Sequence, residues 1–424
     1  TVSTRQGQVH YLENGTWDRR ILMLGQSRFA PARFDGVSGV AFVAPDCSRE
    51  VFLSAVGGAR EEILVAVYEF TSPDLARALV EAAGRGVNVT VLLEGGPVGG
   101  IPTGEKWVIS RLEGAGIPVS AMSGTQDVHA PYRFMHAKYM VVDRSGVLVT
   151  SENFKDSGFP ERGKKGNRGW GVFVRDRRLA EYFASVFSHD AGGKYAVRAP
   201  AGGGTMEITD ADASPPRYTP YDFSGATVTP VVSPDTSYLL HDLLRGAERT
   251  LDIEVAYIAN ESAGVLNPLL SDAVDAARRG VRVRVLLDSY PYNVEDEADN
   301  DEMVDLVNGI AAAERLPLEA RLADLSRGNI LKVHNKGVIV DGRRVLVSSI
   351  NWNENSPAFN REAALVVDHP GVGAYFSGVF ESDWKTAGSE GEPGRHPDTA
   401  KVLAAVAVVV LVACAFSLKR GRRR

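Results

Sequence analysis

Alternating runs of apolar and polar residues divide the chain into strands and helices in a regular order. Ile63–Phe70 and Val87–Leu93 are nearly continuous apolar runs, as found in strands that are buried on both faces of a sheet. Between them, Ser72–Ala83 carries apolar residues at helical spacing, with Ser72-Pro73 as its cap and first turn. Glu105–Gly114 predicts a further helix. The pattern predicts an α/β unit in which strands and helices alternate.

The same pattern returns roughly 190 residues later in the chain. Arg85-Gly-Val-Asn-Val-Thr-Val-Leu-Leu93 matches Arg279-Gly-Val-Arg-Val-Arg-Val-Leu-Leu287, and Val43-Ala-Pro-Asp-Cys-Ser48 matches Val232-Ser-Pro-Asp-Thr-Ser237. Because solenoid repeats have periods of about 20–50 residues, a period this long indicates a duplicated domain. The second copy predicts two strands and a helix at Leu251–Tyr257, Val281–Leu287 and Asn267–Arg279.

The repeat predicts an α/β protein made of two α/β/α halves with connecting segments. The expected divisions are an unassigned lead-in over 1–40, a first half over 41–192, a linker over 193–224, a second half over 225–387, a juxtamembrane linker over 388–401, a transmembrane helix over 402–418 and a basic tail over 419–424.

The composition is that of a large folded protein. With 424 residues, 44% of them hydrophobic, and two cysteines, the chain differs from collagen-like, coiled-coil, disordered and disulfide-scaffold proteins. Its net charge is −6, although the charged residues beyond position 400 are all basic, so the preceding part is more acidic still. This balance disfavours a basic protein that coats nucleic acid, but it leaves a local basic groove open.

The C-terminal stretch 402–418 predicts a single membrane span, since it is an uncharged apolar run followed by Lys-Arg-Gly-Arg-Arg-Arg. Its 17 residues fall short of the ~20 that cross a bilayer core, and Lys401 and Lys419 can snorkel to supply the difference. The alternative, a buried core helix, gives no reason for the terminal cations. The positive-inside rule places the tail in the cytoplasm and the two halves outside it. Because the sequence begins at Thr1, we expect that an upstream signal was removed.

Each copy carries the same set of polar residues at the same spacing. The first contains His136-Ala-Lys138-Tyr-Met-Val-Val-Asp143 and then Ser151-Glu-Asn153; the second contains His334-Asn-Lys336-Gly-Val-Ile-Val-Asp341 and then Ser349-Ile-Asn351. One such motif can arise by chance, whereas two in register with a domain repeat indicate function. Both copies keep Lys in a chain that mostly uses Arg, and a compact ammonium differs in function from a planar guanidinium.

Strand periodicity predicts how these residues meet. His and Lys at positions i and i+2 lie on one face of a strand, so they address one substrate together. Asp143 and Asp341 begin hairpin turns, which we expect them to fix, and the returning strands bring Ser151 and Ser349 alongside the histidines. The alternative is a pair of core histidines, which would bury two unpaired cationic strand faces.

The paired motif resembles that of the phospholipase D superfamily, over about residues 41–387. The resemblance implies two halves around a pseudo-twofold axis with one site between them, hence a monomer that is an internal pseudo-dimer. It implies that one His forms a phosphohistidine while the other protonates the leaving oxygen. The groups expected to hold the nonbridging phosphate oxygens are Lys138, Lys336, Asn153 and Asn351. Because no cluster of metal-ligand spacing is visible, we expect chemistry without a metal or cofactor.

A carboxylate is expected to distinguish the two histidines. Asn360-Arg-Glu362 matches Asn167-Arg-Gly169, so at this position only the second copy has Glu. The superfamily often uses such a carboxylate to orient the His of the opposite half. By resemblance to the tyrosyl-DNA phosphodiesterase branch, we expect Glu362 to orient His136 as the nucleophile and His334 to be the general acid. The alternative for Glu362 is an ordinary surface carboxylate.

The substrate stays open between two phosphodiester classes. A tethered enzyme beside lipid headgroups favours phospholipid hydrolysis or phosphatidyl transfer. An extracytoplasmic nuclease is the alternative, favoured by the basic loop over 155–168 and by the sequence around the second motif. A non-catalytic phosphate-binding module is a weaker alternative, which two intact motifs disfavour.

Overall fold

The computed structural model describes residues 28–123, 132–193, 195–203, 215–260, 265–294, 299–326 and 329–388, together with two short strands near the N-terminus. Those two, β1 (Val2–Thr4) and β2 (Gly7–Val9), pair antiparallel. The predicted membrane span 402–418 and the basic tail 419–424 lie outside these ranges. Within them, no helix combines the length and the apolar character needed to cross a membrane.

The first half contains strands and helices in near-alternation. Its elements are β3 (Phe34–Ala44), α1 (Ser48–Gly58), β4 (Glu62–Val67), α2 (Pro73–Gly84), β5 (Asn88–Glu94), α3 (Thr103–Gly114), β6 (Val119–Met122), β7 (Lys138–Val142), β8 (Gly146–Thr150), β9 (Gly166–Arg175) and α4 (Arg177–Ala191). A short strand, β10 (Ala196–Arg198), follows inside the predicted linker and pairs with β6.

The second half repeats this order. Its elements are β11 (Tyr221–Ser233), α5 (Leu239–Arg245), β12 (Thr250–Val255), α6 (Pro268–Arg278), β13 (Arg282–Leu287), α7 (Pro291–Val294), α8 (Asn300–Glu314), β14 (Leu318–Leu322), β15 (Ile330–Val333), β16 (Lys336–Val340), β17 (Arg344–Ser348), α9 (Asn355–Phe359), β18 (Glu362–Asp368) and α10 (Pro370–Thr386). The prediction of a mixed α/β fold with two repeated halves is confirmed.

One hydrogen-bonded sheet runs through both halves. Its order is β10-β6-β5-β4-β7-β8-β9-β3-β11-β18-β17-β16-β12-β13-β14, and β15 pairs with β9 beside this path. From the central β3–β11 pair outwards, the strands of the two halves correspond one to one as far as β6 and β14, and β10 is an additional edge strand beyond β6. β4, β5 and β6 are parallel, as are β12, β13 and β14, whereas β7 and β16 run antiparallel to them. The carboxyl ends of the parallel strands therefore meet the start of β7 in one half and of β16 in the other.

Apolar packing joins the halves as well as filling each one. Of the two hydrophobic clusters among the described residues, the one that fills the first half extends into the second, since it includes side chains of β18 and α10. Trp170 of β9 packs on Phe376 of α10 with ring centroids 4.7 Å apart. Strand β8 contacts β17 and β18 across the junction. These contacts bring the two motif-bearing hairpins against each other.

The structure adjusts several predicted boundaries by a few residues. The predicted cap Ser72 does precede α2, but its hydroxyl donates to Asp156 Oδ1 at 2.5 Å and caps no amide. Asn267 caps α6 as predicted, accepting from the amides of Leu269 and Leu270. The first strand of the fold core, β3, begins inside the predicted lead-in.

Candidate active site

The two motif histidines lie at the carboxyl edge of the parallel strands, where Val67 pairs with Lys138 and Val255 pairs with Lys336. Each histidine stands just before the strand that carries its lysine, and not within that strand as the i, i+2 argument assumed. The reason is a change of partner, because each histidine amide bonds to the opposite half. His136 N donates to Arg361 O at 2.8 Å.

The second histidine repeats this arrangement. His334 N donates to Arg168 O at 2.9 Å, and β15, which leads to it, pairs with β9 of the first half. Across the same junction, Glu152 of the first half lies 3.3 Å from His334 and Glu362 of the second lies 2.9 Å from His136, so the two motifs meet where the halves join. Each half thus holds the histidine of the other by main-chain hydrogen bonds.

The lysines Lys138 and Lys336 are fully buried. The Nζ of Lys138 donates to the His136 carbonyl at 2.7 Å, and that of Lys336 donates to the His334 carbonyl at 2.6 Å. Burial lowers the pKa of Lys138 to about 8, and burial together with Lys138 holds the pKa of Lys336 well below its usual range. Two ammonium groups with few partners suit a site that receives an anion.

Glu362 begins β18 and is fully buried, which excludes an ordinary surface carboxylate. Both of its carboxylate oxygens lie 2.9 Å from His136 Nδ1. Despite burial, the charges of His136 and Lys138 keep the pKa of Glu362 below its usual range. Burial lowers the pKa of His136, and Glu362 opposes that shift. Because Nδ1 faces the carboxylate, Nε2 is the nitrogen left for a substrate.

His334 has a carboxylate neighbour that the sequence analysis missed. Glu152, the middle residue of Ser-Glu-Asn, places Oε1 3.3 Å from His334 Nδ1 and is 1% exposed. Burial raises the pKa of Glu152, and burial with the neighbouring lysines lowers that of His334. Two Glu residues, one from each half, therefore flank the two histidines.

The residues after β8 and β17 hold these carboxylates. Ser349 Oγ donates to Glu362 Oε2 at 2.6 Å, and Ser151 Oγ, which accepts from the Trp170 amide at 3.1 Å, lies 3.5 Å from Glu152 Oε1. Asn153 and Asn351 follow and are partly buried. Asn153 Oδ1 has no hydrogen-bond partner in the described part of the chain.

The motif aspartates lie at the far ends of β7 and β16, away from the histidines. Asp143 accepts hydrogen bonds of 2.7–2.9 Å from three consecutive amides that lead into β4, and its φ of 49° is left-handed. Asp341 does the same before β12, with bonds of 2.7–3.3 Å. Both side chains therefore tie a hairpin turn to the start of a neighbouring strand.

Two further carboxylates, which the sequence analysis also missed, support the histidine segments. Glu94 ends β5 and accepts from the Met135 amide at 2.6 Å, while Asp288 follows β13 and accepts from the Val333 amide at 2.7 Å. Burial raises the pKa of Glu94 to about 7 and that of Asp288 to about 6. The sequence signal was an acid at the end of the same apolar strand in both copies.

Two buried arginines cross between the halves. Arg168 binds Asp383 at 2.7 Å and Asp46 at 3.2 Å, and Arg361 binds Asp190 at 2.7 Å and Asp235 at 3.0 Å. The aspartates of the repeated Pro-Asp motif therefore pair with the arginines whose carbonyls hold the histidines.

Tyr68 closes one side of the site. Its ring lies 4.7 Å from that of His136, with Lys138 Nζ 5.4 Å from the ring centroid, and its hydroxyl accepts from the Val98 amide at 2.8 Å. Across the described ranges, no three His, Cys, Asp or Glu side chains are grouped as metal ligands would be.

Comparisons with known proteins match both halves to one family. The family described as "Cardiolipin synthase, PLD-like domain" matches residues 52–191 and 240–384, one range in each half. The mitochondrial cardiolipin hydrolase of Chlamydomonas reinhardtii is 30% identical over 144 residues, which are 34% of this chain and 55% of that protein. The match thus spans about half the length of that relative.

One solved structure shares the fold over most of the chain. The phosphatidylserine synthase of Haemophilus influenzae Rd KW20 has a TM-score of 0.60 and 14% identity, and the match covers 89% of this chain and 96% of that one. The phospholipase D family member Nuc from Salmonella typhimurium is 24% identical, with a TM-score of 0.32, over 40% of this chain and 100% of that one. Since the family match takes in most of both repeated halves, this chain belongs to the phospholipase D superfamily, in the family described as the cardiolipin synthase, PLD-like domain.

Proposed function

We propose that this protein cleaves phospholipid phosphodiesters at a membrane surface through a phosphohistidine on His136. The observation that carries the proposal is the meeting of two His–Lys pairs from opposite halves, with His136 Nδ1 held by buried Glu362 at 2.9 Å. A histidine fixed in this way presents Nε2 as a nucleophile, and the buried lysines offer charge to the phosphate.

The proposed reaction has two steps. In the first, His136 Nε2 bonds to phosphorus while the bond from phosphorus to the leaving oxygen breaks, and His334 gives that oxygen its proton. In the second, His334 takes a proton from water, whose oxygen attacks phosphorus as the N–P bond breaks. An alcohol in place of water gives transfer. Lys138, Lys336 and the amides of Asn153 and Asn351 hold the nonbridging oxygens in both steps.

Exposed apolar side chains around the site support a lipid substrate. Of the seven large hydrophobic side chains exposed in the described ranges, five lie in the segments that follow the parallel strands, including the short helix α7, or in β15. We call them the mouth surface: Val98, Val265, Tyr290, Tyr292 and Leu331. Their exposed fractions run from 41% to 76%. Tyrosines and aliphatic side chains grouped in this way suit the interface of a bilayer.

A lysine side chain lies next to the mouth surface. Lys332 follows Leu331 in β15, and its Nζ lies 5.9 Å from the Tyr290 ring centroid. It stands two residues before His334 in the chain, and its charge lowers the pKa of His334. A lysine beside exposed apolar side chains matches the phosphate of a lipid headgroup whose acyl chains stay in the membrane. The hydrolase activity in the name of the algal relative points to the same class of substrate.

The alternative is a nuclease. The exposed side chains of Arg162 and Lys165 favour it, because their loop lies next to β15, where Gly166 N donates to Asn329 O at 2.8 Å. A strand of DNA could follow these cations to the site.

Trapping the intermediate tests the chemistry. His334→Ala should form an adduct on His136 when the full chain is mixed with bis(p-nitrophenyl) phosphate and EDTA, because p-nitrophenolate leaves without a proton. The adduct is located by mass spectrometry of peptides. An adduct on His334 in the His136→Ala variant, with none on His136 in the other, would reverse the two roles. No adduct and no cleavage by the wild type would favour a non-catalytic phosphate-binding module.

A pair of surface variants tests the substrate. Leu331→Ser with Tyr292→Ser should lower the cleavage of cardiolipin in vesicles at least tenfold and leave the cleavage of the soluble diester unchanged. The matched control is Val197→Ser with Tyr238→Ser, which removes two exposed apolar side chains outside the mouth surface. Cleavage of single-stranded DNA, with vesicles untouched, would favour the nuclease.

A further inference from the structure

In the first half, the residue that corresponds to Glu362 carries no carboxylate. A carboxylate from another residue occupies the equivalent space. Gly169 corresponds to Glu362 in the repeat. A Cβ placed on Gly169 would overlap Glu152 Oε1 and lie 2.6 Å from Ser151 Oγ. Glu152 reaches this space from the end of β8, where the second half has Ile350. Because Gly169 has no side chain, it leaves the space that the Glu152 carboxylate occupies.

The partners of the two carboxylates correspond as well. Asn167 Nδ2 donates to Glu152 Oε2 at 2.9 Å, and its counterpart Asn360 Nδ2 donates to Glu362 Oε1 at 3.0 Å. The serine after each strand also approaches its carboxylate: Ser151 Oγ lies 3.5 Å from Glu152 Oε1. Although Glu152 follows β8 and Glu362 begins β18, their carboxylates thus have matching Asn and Ser neighbours.

We propose that Glu152 is the positioning residue of His334, and that it does from β8 what Glu362 does for His136 from β18. This inference rests on the proposed function of His334 as the general acid. Oε1 lies 3.3 Å from His334 Nδ1, and that Nδ1 has no hydrogen bond within the described ranges. A small rotation of either side chain makes the bond, as happens when a substrate closes a site.

The chemical consequence concerns the proton on His334. A carboxylate that accepts from Nδ1–H directs Nε2 to the leaving oxygen and stabilises the imidazolium form. His334 needs this help because Lys336, Lys332, Lys138 and His136 all disfavour its positive charge. Glu152 is itself faced by the same three lysines and by Asn167. Without Glu152, the positive charges around His334 would weaken its binding of the proton that the first step requires.

The first test separates general-acid positioning from a structural role through the leaving group. In a single turnover, which reports the first step alone, Glu152→Gln should release p-nitrophenolate from a soluble diester within about threefold of the wild-type rate, because that group leaves without a proton. It should cleave a diester with an alkyl alcohol leaving group at least tenfold more slowly, and the alkaline limb of its pH profile should shift to lower pH. Glu105→Gln is the control, since it removes another buried carboxyl group, one that accepts from the Phe70 amide.

The second test moves the carboxylate to the position used by the other half. Glu152→Ile alone should lose the alkyl-diester activity, and Gly169→Glu alone should lower thermal stability because two carboxylates then share one space. The double variant Glu152→Ile with Gly169→Glu should recover at least tenfold over Glu152→Ile. A double variant that folds stably without recovery would overturn the proposal, as would equal effects of Glu152→Gln on both leaving groups. A wild type that forms no phosphohistidine would instead refute the proposed function.

Discussion

Replacing Arg361 tests how firmly the two halves hold each other and the site. The Arg361 side chain is 1% exposed and donates to Asp190 from Nε at 2.7 Å and from Nη2 at 3.2 Å. It also donates to Asp235 at 3.0 Å and to the Ser233 carbonyl at 2.8 Å. Arg361→Met keeps most of the side-chain volume and removes all of these bonds. It leaves two carboxylates buried without their cation.

The expected cost follows from that uncompensated charge. Breaking a buried ion pair by removing one partner destabilises a protein by about 3–5 kcal/mol, whereas replacing the whole network with neutral groups is often nearly neutral. Arg361→Met should therefore lower the free energy of unfolding by about 4 kcal/mol. Adding Asp190→Asn and Asp235→Asn should recover more than half of the loss. Activity should fall in the single variant, because the guanidinium bonds fix the main-chain segment whose carbonyl at residue 361 accepts from the His136 amide.

Urea unfolding, followed by tryptophan fluorescence, measures these differences. The control is Arg343→Met, whose ion pair with Asp368 is about half exposed at the arginine and should be worth less than about 1 kcal/mol. A loss for Arg361→Met that is no larger than the control loss would refute the argument. So would a triple variant less stable than the single one, because the cost would then come from lost packing and not from charge.

Three further predictions concern the reacting groups and their support. Glu362→Gln should slow phosphohistidine formation by about 10²–10⁴-fold, because His136 loses the group that holds its tautomer; single-turnover kinetics measure this, and a change of less than threefold would contradict it. The kcat/KM for a soluble diester should fall as the pH rises through about 8, since the Lys138 ammonium, whose pKa burial lowers to about 8, then loses its proton. A profile that stays flat to about pH 10 would exclude that role. Asp143→Ala should cost about 2–4 kcal/mol of stability, because three amides lose a charged acceptor and a left-handed residue gains strain, while the folded fraction keeps its activity. Chemical denaturation together with active-site titration separates the two effects.

The repeat was the part of the fold that could best be predicted from the sequence. Apolar strand runs and the matched motifs are local signals, so the mixed α/β fold and its two halves could be predicted from them. The partners of Arg361 could not, because Asp190 lies 171 residues away and belongs to the other half. The same limit applied to His136, which was assigned to a strand although its amide bonds across the junction. Contacts between halves depend on packing that periodicity does not describe.

The carboxylate of Glu152 shows a second limit. An alignment of the two copies compares residues position by position. Gly169 stands opposite Glu362 in that alignment, which indicates that the first half has no such carboxylate. The side chain that fills the space belongs to a neighbouring strand, and its direction depends on how the chain leaves β8. Only the folded structure shows that the Glu152 side chain occupies the volume that a side chain at position 169 would fill.

Duplication within one chain explains how such an exchange is tolerated. In a symmetric dimer of identical halves, one substitution would alter both histidines at once. Here each half changes alone, so the two histidines need not have identical surroundings. His136 has both oxygens of Glu362 at 2.9 Å, whereas His334 has one oxygen of Glu152 at 3.3 Å and stands among more lysines. A nucleophile benefits from a fixed ring, while an acid that must give a proton and take one back benefits from a partner that it can both approach and leave. The difference between the two carboxylates therefore matches the difference between the two proposed roles.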